Sequence, residues 1–532
     1  MSDKVYGIDL GTTYSAVALV NDLGLPEIIK NFEGHDTTPS VVYFNDDGSA
    51  FIGGQAKRTQ IADPENACAL IKRHIGEDYK IEFRGNVHTP ETISALILKE
   101  LVNNANSQNG LDIGRAVITV PAYFGIRERQ ATRQAGEIAG LEVVGIIPEP
   151  VAAAIALGTS QEEEQTLLVF DLGGGTFDTT ILKAQAGKVD VVAIDGERLL
   201  GGADWDQRLE DLFLEKFRNQ AALGGDADPS ADDEFMTDLR VQVEDAKKAL
   251  TIRQVTNLLL RYGDKREKVE ITREEFEAAT ADLVELTVVT AQRVLKTAQD
   301  KSPGLTIDRF LLVGGSSRMP MIENALKAAG FSPERTDYDL SVAKGAAIYG
   351  QGEVPAYVDP DSVEAGSDET PKSVPGVRPA RVAVTNVLPR GVGVQFARET
   401  EPEKYEDYIE FLAHANDTLP LDGHATGGIL RDGQTSVEVP LYEQGGVGES
   451  EKPEDNKALV SGPSTTITGL PPMRKGDPIE IKLHVSEEGI ATLSVTEPKT
   501  GRSFTAEAAV SVLSGSDVEE SRIMVAKTDV RS

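Results

Sequence analysis

Two stretches of the chain echo one another, and that echo constrains the fold more than any other feature. Residues 5–19 read VYGIDLGTTYSAVAL and residues 167–182 read LLVFDLGGGTFDTTIL. Each is an apolar strand, then Asp-Leu-Gly, then a turn of glycine and threonine, then a second alternating strand. The distance between the copies is far too long for a solenoid repeat. It fits two related lobes, each opening with a hairpin. Helical spacing follows each set of strands, over Glu91–Asn104, Ile126–Ala139, Asp204–Arg218, Asp232–Leu250 and Arg273–Lys301. This alternation predicts α/β lobes. Phe310-Leu311-Leu312-Val313 reads as a buried strand ending in Gly314-Gly315, and a helix is expected from Ser341 to Tyr349.

The texture changes at residue 351. Residues 351–380 carry Pro355, Pro360, Pro371, Pro375 and Pro379 among Gly, Ser and acidic residues, which reads as a linker. Residues 381–515 hold alternating, strand-like segments between Gly, Pro and Asn/Asp turns, which predicts an all-β sandwich. Residues 516–532 are expected to form a short tail with one helix and no helical lid.

Charge and composition narrow the function. The 532 residues sum to −33, and the acid is spread along the whole chain. A field of that sign repels phosphate backbones and anionic lipid, so neither nucleic acid nor a membrane is an expected partner. No run of 18 apolar residues is present, and the N-terminus shows no secretory signal. The single cysteine, Cys68, leaves no internal disulfide framework and points to a reducing compartment. The expected setting is the cytoplasm. None of the six histidines has metal-ligand spacing.

The hairpin turns carry the sharpest chemical signal. Gly11-Thr12-Thr13 and Gly173-Gly174-Gly175-Thr176 put small residues where backbone must bend close to a ligand. Successive N–H groups in such a turn form a nest for phosphate oxygens. Asp9 and Asp171 stand just before the turns and suit Mg²⁺ held through its water shell. The Thr13 and Thr176 hydroxyls are candidates for terminal-phosphate contact. No G-x-x-x-x-G-K-[ST] run exists, so this is not a P-loop protein. A phosphate-facing lysine must come from elsewhere, and Lys72 is a candidate. Glu149, on the Pro148-Glu149-Pro150 turn before an alanine-rich helix, is a candidate for orienting or deprotonating a water. No G-x-S-x-G elbow supports serine hydrolase chemistry.

GIDLGTTYS, ITVPAYF, IPEPVAAAIALG, VFDLGGGTFD and LVGGSSRMP resemble the heat shock protein 70 (DnaK-type) chaperones, densely over residues 4–350 and more weakly over 381–515. The resemblance implies the α/β two-lobed actin/sugar-kinase/heat-shock ATPase fold over residues 1–350, followed by a peptide-binding β-sandwich. It implies ATP and ADP as ligands with Mg²⁺, and allows K⁺. Position by position, Lys72 would reach the terminal phosphate and Glu149 would position the attacking water. Asp9 and Asp171 would hold the metal's shell, and Asp178 would stand near a potassium and water network. Thr12, Thr13 and Thr176 would contact phosphate, and Gly11, Tyr14, Gly173, Gly174 and Gly175 would bind the nucleotide with them. Glu244, Lys247, Lys248 and Thr251 match the adenosine clamp, completed by Gly314, Gly315, Ser316 and Arg318 with Asp339 nearby. Pro121 and Arg129 match the pair that relays nucleotide state outward. Val394, Val437 and Val439 fall in the implied peptide cleft for extended apolar segments.

Departures from the family pattern accompany the matches. The family's linker is a short apolar strand, whereas the corresponding region here reads as long and rich in proline and acid. Gly145, Pro148 and Val151 alter the surface that meets a J-domain cochaperone. Gly427-Gly428 stands where a pocket aromatic is expected. A J-domain cochaperone, an exchange factor and a monomeric state are therefore expectations attached to an altered surface. Two other readings share the fold: a nucleotide-dependent regulatory protein without client folding, and a small-molecule kinase.

Overall fold

The structure, a computed structural model, describes residues 4–110, 112–158, 163–185, 187–223, 228–335, 340–353, 382–401, 404–460, 466–498, 501–506 and 513–531. The internal echo becomes two sheets of one topology. In lobe I, Tyr6–Asp9 pairs in parallel with Arg115–Val120, which pairs in parallel with Glu142–Pro148. On its other side Tyr6–Asp9 forms the hairpin with Tyr14–Val20, followed by Pro26–Ile29. In lobe II, Gln165–Leu172 takes the same place. It has Arg309–Val313 and Pro333–Arg335 on its parallel side, and Phe177–Gln185 and Lys188–Glu197 on the antiparallel side.

Two helices, Glu149–Gly158 and Ser341–Glu353, cross between the sheets. Their inner faces are alanine: Ala152, Ala153 and Ala154 on one, Ala343, Ala346 and Ala347 on the other, all buried. Gly345 lies so close that a Cβ there would sit 1.7 Å from the Ala152 carbonyl oxygen. Small side chains allow this approach, and residues of both sheets join the same core around it. The cleft between the lobes opens above this crossing. The expected long helix over Arg273–Lys301 is broken at Thr280 into Arg273–Ala279 and Ala281–Lys301. The break is masked in the sequence because apolar spacing continues through it.

The C-terminal part is a β-sandwich. One sheet runs Lys404–Ala413, Val392–Glu401, Leu441–Glu443 and Lys457–Val460, and the other Leu421–Gly428, Pro478–Val485, Ala491–Glu497 and Arg502–Ala506. Strict in-out alternation along Pro478–Val485 is the period-2 signal made structural.

Three expectations change. Most of the proline- and acid-rich stretch, residues 354–380, lies outside the described residues. Just after it, Ala383–Thr385 leaves the sandwich and pairs in parallel with Lys188–Asp190 at the edge of the lobe II sheet. The first strand after the expected linker is thus paired with lobe II. An open sheet edge accepts such a strand as readily as a sandwich does, and the pattern alone does not choose. The tail also has a fixed place. Helix Gly515–Lys527 packs on lobe I, where Lys99 Nζ donates to the carbonyls of Val525 (2.8 Å) and Thr528 (2.9 Å). Val530–Arg531 then adds a parallel strand beside Ala50–Phe51. Gly145, Pro148 and Val151 are all buried, so they present no side chain to a cochaperone. Among the described residues no helix is long and apolar enough to cross a membrane.

His88 is buried in lobe I against the Phe44 ring, with centroids 4.5 Å apart, and burial pushes its pKa down to about 4. Between the ordinary value near 6.5 and about 4, the unfolded chain binds a proton that the folded chain refuses. The stabilisation present above pH 6.5 is therefore lost as pH falls through this window. Melting temperature should decline less steeply between pH 6.5 and 4.5 in His88→Phe than in the parent; equal slopes would show that His88 contributes nothing.

Candidate active site

A cavity of about 500 Å³ lies between the lobes, large enough for a nucleotide. Its walls collect most of the residues singled out in the sequence: Asp9, Gly11, Thr12, Thr13, Tyr14, Lys72, Glu149, Asp171, Gly173, Gly174 and Thr176. The residues that match the family's adenosine clamp line the same cavity: Glu244, Lys247, Lys248, Thr251, Gly314, Gly315, Ser316 and Arg318. Asp339 lies outside the described residues. Gly175 and Asp178 stand behind the wall, and Pro121 and Arg129 lie further toward the β-domain.

The two hairpin turns meet across the cleft, and their glycines are there for space. A Cβ on Gly174 would lie 1.9 Å from Thr13 Oγ1, and one on Gly175 would lie 2.5 Å from Thr12 Cγ2. A larger residue at Gly174 or Gly175 would have to displace the threonines of the facing turn. Behind the turns Arg73 forks onto Asp204, at 2.9 and 3.0 Å, tying the Lys72 loop of lobe I to helix Gly202–Gln220 of lobe II.

The floor of the cavity is acidic. Asp178 is the cross-strand partner of Asp171, and its Oδ1 accepts the Tyr123 N–H at 2.8 Å. Burial pushes the Asp171 carboxyl well above the usual range, and Glu149, Asp178 and Asp9 add to it by repulsion. Burial, with help from Glu149, raises Asp178 to about 7. Lys72 is the cation set among them; its Nζ donates to Glu149 Oε1 at 2.8 Å, and it is almost wholly buried. Buried carboxylates that repel one another fit a divalent cation, which would relieve the repulsion. Among the described residues no three Asp, Glu, His or Cys side chains are grouped as direct ligands. Phosphate oxygens and water would therefore complete the shell, as Mg²⁺ prefers.

At the mouth, Glu244 on helix Asp233–Ile252 gathers Lys57, Lys248 (2.7 Å) and the Tyr14 hydroxyl (2.8 Å). Burial pushes its carboxyl up, but the two lysines outweigh it and hold the pKa at about 2. Lys57 comes from lobe I and was not legible in the sequence, because Gly54–Thr59 is a short helix without a motif. Asp206, the partner of Lys247 at 2.7 Å, lies on the long helix Gly202–Gln220, where one acid among several carries no motif of its own.

Pro121 and Arg129, the pair that the resemblance makes a relay, lie at the start of one helix. Pro121 opens the turn that leads into helix Ile126–Ile138, and Phe124 N–H donates to its carbonyl. Arg129 is buried and donates to the carbonyls of Phe124 (2.8 Å) and Ala122 (3.2 Å). The Tyr123 ring in the same turn lies under Arg390 of the β-domain, 4.4 Å away. The implied peptide residues fare differently. Val394, on strand Val392–Glu401, and Val439, just after strand Gln434–Glu438, are buried in the sandwich core, and only Val437 is partly exposed. At Gly427-Gly428, where the resemblance expects an aromatic, the Phe396 ring packs alongside and would lie 3.0 Å from a Cβ on Gly427.

The tightness of the turns gives a direct expectation. Gly174→Ala should lower turnover about 100-fold by displacing the reacting groups, with little change in melting temperature. Full turnover in that variant would show that the turns do not close on one another in the working protein.

A family model described as Hsp70 protein matches residues 5–361. The chain is 36% identical over 518 residues to the chaperone protein DnaK of Thermosipho melanesiensis, covering 95% of this chain and 80% of that one. Members of this family bind ATP and ADP, generally with Mg²⁺. The paired lobes, their shared cleft and these two matches agree: the chain belongs to the heat shock protein 70 family, and it is an ATP-hydrolysing, ATP-dependent chaperone.

Proposed function

We propose that ATP lies with its phosphates between the two hairpin turns and its adenosine between Glu244–Thr251 and Gly314–Arg318. Water attacks the terminal phosphorus, the bond to the bridging oxygen breaks, and ADP, phosphate and a proton are released. Thr12, Thr13 and Thr176 donate to phosphate oxygens together with the N–H groups of the turns. Lys72 turns from Glu149 toward the terminal phosphate and neutralises charge there. Glu149, so released, orients the attacking water. A hydrated Mg²⁺ beside Asp9 and Asp171 would supply charge neutralisation, and Asp178 fits a K⁺ and water network. Little covalent chemistry is asked of the protein, so position and charge carry the rate. The observation that carries this reading is the Lys72–Glu149 pair, at 2.8 Å on the cleft floor.

In this reading residues 1–350 are the ATPase unit and the sandwich grips extended apolar segments. Strand Gln434–Glu438, which carries Val437, belongs to a two-stranded sheet with Thr466–Met473. A short strand of this kind suits main-chain hydrogen bonds to an extended peptide. The protein works as a monomer in the cytoplasm, with a J-domain cochaperone and an exchange factor as further partners of the family type.

Lys72→Ala should reduce single-turnover hydrolysis by about 100-fold or more while ADP still binds. Normal turnover would remove Lys72 from the role given to it. A labelled apolar peptide should leave the full chain about ten-fold faster with ATP than with ADP. Equal release rates with ATP, with ADP and without nucleotide would favour a regulatory protein that has lost client handling.

A further inference from the structure

Glu128 sits on helix Ile126–Ile138 of lobe I, directly beside the relay residue Arg129, and is 1% exposed. Cations from both other parts of the molecule end on its Oε1. Arg198, which follows strand Lys188–Glu197 of lobe II, reaches it at 3.1 Å. Lys457, on the β-domain strand Lys457–Val460, reaches it at 2.8 Å. The loop that carries Lys72 is packed against the same spot: a Cβ on Gly76 would lie 3.1 Å from the Glu128 Cα.

We propose that Glu128 is a positioning residue that couples closure of the two lobes to docking of the β-domain, because one buried oxygen is shared by a cation from each. A buried carboxylate is costly unless it is paired. Burial raises the Glu128 pKa, but Lys457 and Arg198 together outweigh it and hold the carboxyl below its usual range. Each cation therefore makes the ionised, docked arrangement more favourable for the other, which is a coupling free energy between two interfaces. The neighbouring groups do not replace it. Arg390 stands nearer the second buried acid, Glu443, at 3.7 Å, and Glu443 accepts the Ile126 N–H at 3.1 Å. Arg129 spends its bonds on two carbonyls of lobe I.

Arg198 makes the test possible. Besides Glu128, its hydrogen bonds go to Glu77 and to the carbonyls of Arg73 and Ile75, all in lobe I. If it acts on the β-domain, it acts through Glu128. Docking is measured in the full, nucleotide-free chain by energy transfer between one dye on lobe I and one on the β-domain. In the Glu128 background, Arg198→Gln and Lys457→Gln should each weaken docking about ten-fold, and Lys457→Arg should restore most of it. In the Glu128→Gln background, Arg198→Gln should change docking less than two-fold. ADP affinity within two-fold of the parent shows that Glu128→Gln folds. An undiminished effect of Arg198→Gln in the Glu128→Gln background would overturn the proposal, as would no effect of Arg198→Gln in either background. The proposal builds on the reading that nucleotide closes the lobes, but this cycle contains no nucleotide. Failure of that reading would show instead as peptide release indifferent to ATP.

Discussion

The crossing of helices Glu149–Gly158 and Ser341–Glu353 sets how far apart the two lobes stand. Gly345 lies against the Ala152 carbonyl, and alanine faces alanine on either side. Larger side chains would lever the sheets apart, because a close-packed core cannot absorb the extra volume. Everything functional is measured from this contact. It brings the Thr12-Thr13 turn within touching distance of Gly174-Gly175, and it carries Glu149, the first residue of one crossing helix, to the cleft floor. A site built on the ends of packed elements is held more tightly than one built on free loops.

Electrostatics works against the global field here. A chain of net charge −33 binds a polyanion, which the overall sign disfavours. The resolution is local. The two glycine turns, the buried Lys72, and Lys248 beside Glu244 all line one cavity. Buried acids beneath them repel one another, and a divalent cation would relieve that repulsion. Charge at contact distance in a desolvated cleft outweighs charges that solvent screens beyond about 10 Å.

The β-domain is bound to this machine through buried polar groups as well as apolar ones. Ile126 of lobe I joins the sandwich core, while Glu128, Glu443, Arg390 and Lys457 are packed around it. Apolar contact gives affinity without much dependence on state. Buried ion pairs depend sharply on whether every partner is present, and this suits an interface that must respond to events at the nucleotide.

Much of the ATPase was legible in the sequence by itself. The repeated Asp-Leu-Gly hairpins, the Pro-Glu-Pro turn and the Gly314–Arg318 loop are local patterns, and local patterns survive without a fold around them. They were enough to specify two α/β lobes and the hairpin residues that line the cleft, and the family resemblance named most of its other wall residues. Alternation likewise marked the β-domain, but it could not say which alternate valines face a peptide and which face the core; Val394 and Val439 proved to face inward. Only the tertiary structure decided the rest. It placed Ala383–Thr385 on the edge of lobe II, Gly515–Lys527 on lobe I, Phe396 beside Gly427, and Lys57 on Glu244. It also joined Glu128 to residues 70 and 329 positions away. Such pairings have no period and no motif. They arise when whole elements pack, so the chain alone states which residues are available and the fold states which of them meet.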